Sequence, residues 1–93
     1  MDNLFSTIYQ LKKDRKYFEA IRLLKKEIKK KDGMNKDRIL WCYERLDFFY
    51  RKTNQLQEEF DLLETFLKNY HDENMYHHLL STRYEHLLEE LKE

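Results

Sequence analysis

His77, His78 and His86 fall within one predicted helix near the C-terminal end and come closest to a metal-site pattern. His78 and His86 lie eight positions apart on one helix face, with Thr82 between them. Zinc ligation from a helix calls for two ligands one turn apart and further ligands converging on the ion. The spacing here is two turns and Cys42 is the sole thiol. These histidines therefore read as solvated or interface groups, and His71 sits in a predicted break. Protonation near their ordinary pKa of about 6.5 would tune such an interface.

Other chemistry is weaker still. Glu58-Glu59 and Glu89-Glu90 are adjacent in sequence, so the members of each pair do not share a helix face. Acid–base pairs must converge in a cleft, and these pairs read as surface charge. Gly33 is the single glycine, which rules out a glycine-rich phosphate loop. Ser, His and Asp show no ordered arrangement beyond chance. Cys42 lies on an apolar stripe between Leu40 and Tyr43 and reads as a buried inert thiol, since reactivity needs exposure and a lowered pKa. No catalytic, cofactor-binding or metal-ligating residue is assigned, and the expectation is a protein that is not an enzyme.

The elements that carry these residues are helical. The chain has 93 residues, 41% hydrophobic, 15% aromatic and 39% charged, with one Gly and no Pro. That leaves almost none of the punctuation of loop-rich or all-β folds, while the abundant Leu, Lys and Glu favour helix. The length suits one domain over 1–93. A lone cysteine excludes an internal disulfide. No apolar run approaches the roughly 18–20 residues of a membrane span, and Met1-Asp2-Asn3-Leu4-Phe5 lacks the pattern of a signal peptide. A cytoplasmic protein without membrane association is expected.

Apolar periodicity predicts five helices. Asp2 or Asn3 caps the first, with Leu4, Phe5, Ile8, Tyr9 and Leu11 on one face, and Asp14-Arg15-Lys16 breaks it. The second runs from about Tyr17 to Lys30 around Tyr17, Ala20, Ile21, Leu24 and Ile28, flanked by Phe18 and Leu23, with Gly33 as its left-handed C′ residue. Asn35 or Asp37 starts the third, whose main face is Ile39, Leu40, Cys42, Tyr43, Leu46, Phe49 and Tyr50. Thr53-Asn54 separates it from a fourth helix carrying Leu56, Phe60, Leu63, Leu67 and Tyr70. After a break at His71-Asp72-Glu73-Asn74, the fifth carries Met75, Tyr76, Leu79, Leu80, Tyr84, Leu87, Leu88 and Leu91. Short links make these antiparallel neighbours, either stacked as helix-turn-helix hairpins or closed into a bundle.

Internal repetition favours hairpins. A shift of 39 residues lays Tyr9 on Phe48, Lys12-Lys13 on Arg51-Lys52, Tyr17 on Leu56, Leu23-Leu24 on Leu62-Leu63 and Ile28 on Leu67. A shift of 34 lays Leu46 on Leu80, Asp47 on Ser81 and Tyr50 on Tyr84. The first helices read Tyr43-x2-Leu46-Asp47-x2-Tyr50 and His77-x2-Leu80-Ser81-x2-Tyr84, and a second helix opens with Tyr17 and has Ala20 three residues on. This pattern resembles the tetratricopeptide repeat family, over most of the chain and about two and a half repeats. The sequence departs from the family in placing Arg15 and Asn54 at the usual turn glycine, Ile8 and Asp47 at the small residue of the first helix, and Glu59 at the usual alanine. Proline closes neither unit, and the 39-residue spacing lengthens the Lys29–Arg38 connection.

The resemblance implies a groove formed by successive first helices and a role in binding proteins. A protein or peptide partner, possessing an acidic surface and captured as a peptide or a helix, is expected. Trp41, Arg45 and Phe48 lie off the main stripe of the third helix and are anchor candidates, although a helix buried on two faces would make Trp41 and Phe48 core residues. Tyr9, Tyr76, His77 and Arg83 complete the expected surface, with Lys12 and Lys13 supplying charge at its edge. Residues 1–46 carry 13 Lys/Arg against 7 Asp/Glu, a net of +6, and residues 47–93 carry 5 against 11, a net of −6. The basic half suits an acidic protein surface, a nucleic acid or plain solvation. Together the halves suggest a homo-oligomer in which a basic end meets an acidic end.

Overall fold

A computed structural model describes residues 4–30, 35–70 and 75–92. Among them are five helices: α1 (Leu4–Lys13), α2 (Tyr17–Lys29), α3 (Lys36–Lys52), α4 (Leu56–Asn69) and α5 (Met75–Lys92). No strand occurs among the described residues. The all-α expectation holds, with helix ends within a residue or two of those read from periodicity. The expected caps at Asp2 or Asn3, the Gly33 C′ position, and the break over 71–74 lie outside the described residues. Asn35 does cap α3: its Oδ1 accepts from the Asp37 N–H at 2.7 Å.

Both tight turns are built alike. Lys16 N–H bonds Leu11 O at 2.8 Å and Arg15 N–H bonds Lys12 O at 3.1 Å. Gln55 N–H bonds Tyr50 O at 2.9 Å and Asn54 N–H bonds Arg51 O at 3.2 Å. This is the Schellman pattern, which ends a helix by turning one residue left-handed. Arg15 and Asn54 are that residue, at φ 59° and 57°. Lys16 and Gln55, which open the next helices, also match, at φ −91°, ψ 63° and φ −94°, ψ 70°. Thus the α1–α2 and α3–α4 turns share one geometry, 39 residues apart.

A left-handed conformation costs an ordinary L-residue about 1 kcal/mol or more, and Asn less. Arg15→Gly is therefore expected to stabilise the protein by about 0.5–1 kcal/mol, and Asn54→Gly by less. Urea titration of both variants checks the order, and an Arg15→Gly variant weaker than wild type would contradict it.

Each helix packs on its neighbours in sequence, and α5 also reaches α3. The result is a slab of 43 × 30 × 20 Å. Two apolar clusters meet on α3. Leu4, Ile8, Ala20, Ile21 and Leu24 pack with Cys42, Leu46, Phe49 and Tyr50. On its other side Leu40 and Tyr43 pack with Leu63, Phe66, Leu80 and Leu87. Facing two cores makes α3 the most buried element, with seven of its residues enclosed. Aromatic contacts join the layers, including Tyr43 to Phe66 and Tyr70, and Phe60 stacked on Tyr84 with centroids 5.2 Å apart.

The apolar face of α1 is only partly covered. Leu4 and Ile8 are buried, but Phe5 and Tyr9 turn outward, with Tyr9 67% exposed. Only one neighbour, α2, packs closely along α1, so its apolar stripe narrows to Leu4, Ile8 and Leu11 and leaves both rings outside.

Candidate partner-binding face

On a helix, Trp41, Arg45, Phe48 and Lys52 follow one line at spacings of four, three and four residues. That line lies opposite Tyr43, Leu46 and Tyr50, which α3 turns towards α2 and α4. The Phe5 ring of α1 meets Trp41 edge-on, with centroids 4.4 Å apart. Beside them Phe5, Ile8, Tyr9, Lys12, Trp41 and Arg45 line a recess of about 200 Å³. Trp41 and Phe48 are half-buried, neither wholly core nor free anchors: each rests one face on the stack and offers the other.

Cations crowd this face. Lys12 Nζ stands 4.6 Å from the Phe48 ring centroid, the Lys52 ammonium 5.6 Å and the Arg45 guanidinium 5.8 Å. Ring faces attract cations, which explains why three like charges gather on one phenyl group. Arg45 also binds its neighbour Glu44, Nη2 to Oε1 at 2.9 Å. Lys13 is exposed in the last turn of α1. Five expected residues, Tyr9, Lys12, Trp41, Arg45 and Phe48, therefore come together, with Phe5 as an unforeseen sixth.

The three α5 residues face elsewhere. Tyr76 packs against the second core cluster. The His77 ring lies 6.2 Å from that of Phe66. Arg83 makes a two-pronged bond to Glu59, Nε to Oε2 at 2.8 Å and Nη2 to Oε1 at 3.1 Å. Exposed apolar groups on α5 are instead Met75, Leu79 and Leu91. Sequence spacing on α5 could not show which side α4 would occupy.

Glu59 corrects another expectation. It was read as surface charge, yet it is 0% exposed, and Asp47 of α3 is 2% exposed. Arg51 approaches both, Nη2 at 3.4 Å from Asp47 Oδ2 and Nε at 3.5 Å from Glu59 Oε2. Asp47 Oδ1 has no hydrogen-bond partner. Burial, then the hydrogen bond and charge of Glu59, push the Asp47 carboxyl up to about 8. Arg83 is held above its ordinary value by its hydrogen bond to Glu59. Strongly shifted carboxyls mark active sites when a cleft serves them, but groups this enclosed cannot touch a substrate. The cluster acts on the fold. Its signal was in the repeat: the 39-residue offset lays Asp47 on Ile8 and Glu59 on Ala20, both buried apolar positions.

Glu27 is similarly enclosed at the end of α2, where Arg38 reaches Oε1 with Nε at 3.0 Å and Nη2 at 2.7 Å. Burial alone would raise this carboxyl, but the bonds from Arg38 and Lys30 outweigh it and hold it below its ordinary value. Cys42 is buried, and His78 and His86 are exposed. Among the described residues no group of three or more His, Cys, Asp and Glu is arranged to hold a metal ion. None of the described helices is long and apolar enough to cross a membrane. No protein-family model, curated protein or solved structure matches the chain.

Proposed function

We propose that this protein is a non-catalytic interaction module of tetratricopeptide-like architecture that binds an acidic peptide or helix on the face formed by α1 and α3. The observation that carries the reading is the cluster of Tyr9, Trp41 and Phe48 ringed by Lys12, Arg45 and Lys52. Aromatic residues and arginine supply most of the energy at binding hot spots, and the surrounding cations select for carboxylates. Two hairpins with identical turns, stacked in order, support the repeat architecture, because equivalent first helices then line one side.

Selection from a random peptide library tests it. Peptides rich in Asp and Glu with an aromatic or aliphatic anchor are expected, binding more weakly as salt rises. Trp41→Ala should weaken them at least about tenfold, the scale of one hot-spot truncation. Trp41 is the sole tryptophan, so its fluorescence reports occupancy in wild type. Failure to enrich any peptide, or binders indifferent to Trp41→Ala, would refute the proposal. Nucleic-acid binding by the basic α2 is the second reading, favoured by Arg22, Lys25, Lys26 and Lys29 around the outward Phe18. It ranks lower because the acidic α4 flanks the same groove as α2 and repels phosphates. A salt-titrated gel shift separates the two.

A further inference from the structure

The outer helices of the two hairpins carry opposite charge at matching positions. Arg22 and Lys25 of α2 correspond, by the 39-residue offset, to Asp61 and Glu64 of α4, and all four are exposed. Between these helices runs an open groove of about 400 Å³ with an apolar floor that includes Tyr43 and Leu46 of α3. Lys25 and Lys29 stand on one wall, Glu58 and Asp61 on the other. Among the described residues no ion pair joins the two walls. Phe18, 69% exposed, heads the basic stripe.

We infer that this side of the slab is a self-complementary interface, on which a second copy of the chain docks with its α4 against α2 and its α2 against α4. A two-fold rotation about an axis running along the groove produces that arrangement. Every contact then occurs twice, as in a closed isologous dimer. The two walls of the groove already carry the complementary groups, Lys25 and Lys29 from α2 and Glu58 and Asp61 from α4. The rotation therefore lays the Arg22, Lys25 and Lys29 stripe of each copy along the Glu58, Asp61 and Glu64 stripe of the other. The other two-fold orientation lays α2 on α2 and α4 on α4, where like charges repel. Other occupants fit less well. An acidic peptide would leave the α4 carboxylates unanswered, and a nucleic acid would be repelled by them. The surface lies on the far side of α3 from Trp41, so it is independent of the peptide face.

Sedimentation of the full chain at low and high salt tests the inference. Wild type should dimerise at low salt and dissociate at about 1 M salt, where screening reaches about 3 Å. Lys25→Glu/Lys29→Glu and Asp61→Lys/Glu64→Lys should each weaken dimerisation by more than about tenfold, because like charges then face each other. An equimolar mixture of the two variants should restore a dimer, since each supplies the helix the other needs. Trp41→Ala should dimerise as wild type does. Far-UV circular dichroism verifies that all four proteins are helical. A wild type that stays monomeric at low salt, single-sided variants that dimerise normally, or a mixture that fails to associate would each overturn the inference.

Discussion

Replacing Arg83 by Met is expected to lower the unfolding free energy by about 3–5 kcal/mol, the cost of leaving one member of a buried ion pair alone. Glu59 has no exposure and takes its two closest bonds from Arg83. The remaining cation, Arg51, stands 3.5 Å away and is 44% exposed. In a domain of this size such a loss shifts Tm by more than about 10 °C, which a thermal melt at neutral pH will show. A shift of only a degree or two would mean that the pair contributes little. A residue used only for partner binding would leave stability unchanged, so the melt also separates the two roles open to Arg83.

The repeat suggests a repair. Asp47→Ile/Glu59→Ala/Arg83→Leu gives the second hairpin the pair that fills the first, Ile8 and Ala20. Substituting well-packed apolar groups for buried ions is often neutral or stabilising by about 1–4 kcal/mol. The triple variant should therefore melt at or above the wild-type temperature although Arg83→Met alone melts far below it. If both lose stability equally, the ionic cluster is required by the packing.

Alkaline pH is expected to weaken the protein through Asp47. Its carboxyl titrates at about 8 in the folded chain and near the ordinary aspartate value, about 4, in the unfolded one. Folding therefore takes up a proton between those values. The stability this brings is fully present below about pH 4 and is lost progressively as pH rises through about 8. Asp47→Asn cannot ionise, so its stability should fall less over the same window. From pH 5 to 9 the wild type should lose at least about 2 kcal/mol relative to the Asn variant. Urea unfolding at four or five pH values measures the difference. Parallel profiles would show that Asp47 is already ionised in the folded state.

Several features of the fold were legible because they are local. Apolar residues at helical spacing marked every helix, since an amphipathic stripe is a statement about one segment. The 39-residue repeat was legible too, and it anticipated that Arg15 and Asn54 occupy equivalent turn positions. The α3 part of the proposed binding face was legible as a line, since Trp41, Arg45 and Phe48 lie off the stripe that feeds the core. The α5 part could not. Tyr76, His77 and Arg83 are as well spaced for a surface as Met75 and Leu79, and only the packing of α4 on α5 tells them apart. Phe5 and Tyr9 share an apolar face with Leu4 and Ile8, yet only the latter two are buried: spacing finds a face but not how much of it is covered.

Glu59 shows the limit most clearly. Beside Glu58 it looks like solvated charge, and one residue of helical rotation separates an exposed carboxylate from an enclosed one. The sequence by itself determined the helices, the two hairpin turns and the division of charge, since each follows from neighbours along the chain. Tertiary structure alone decided that Asp47 and Glu59 are buried, that Arg83 leaves the surface to bind Glu59, and that Lys12 and Phe48 meet. Those outcomes depend on which helix lies against which, and that is set by the joint packing of distant segments.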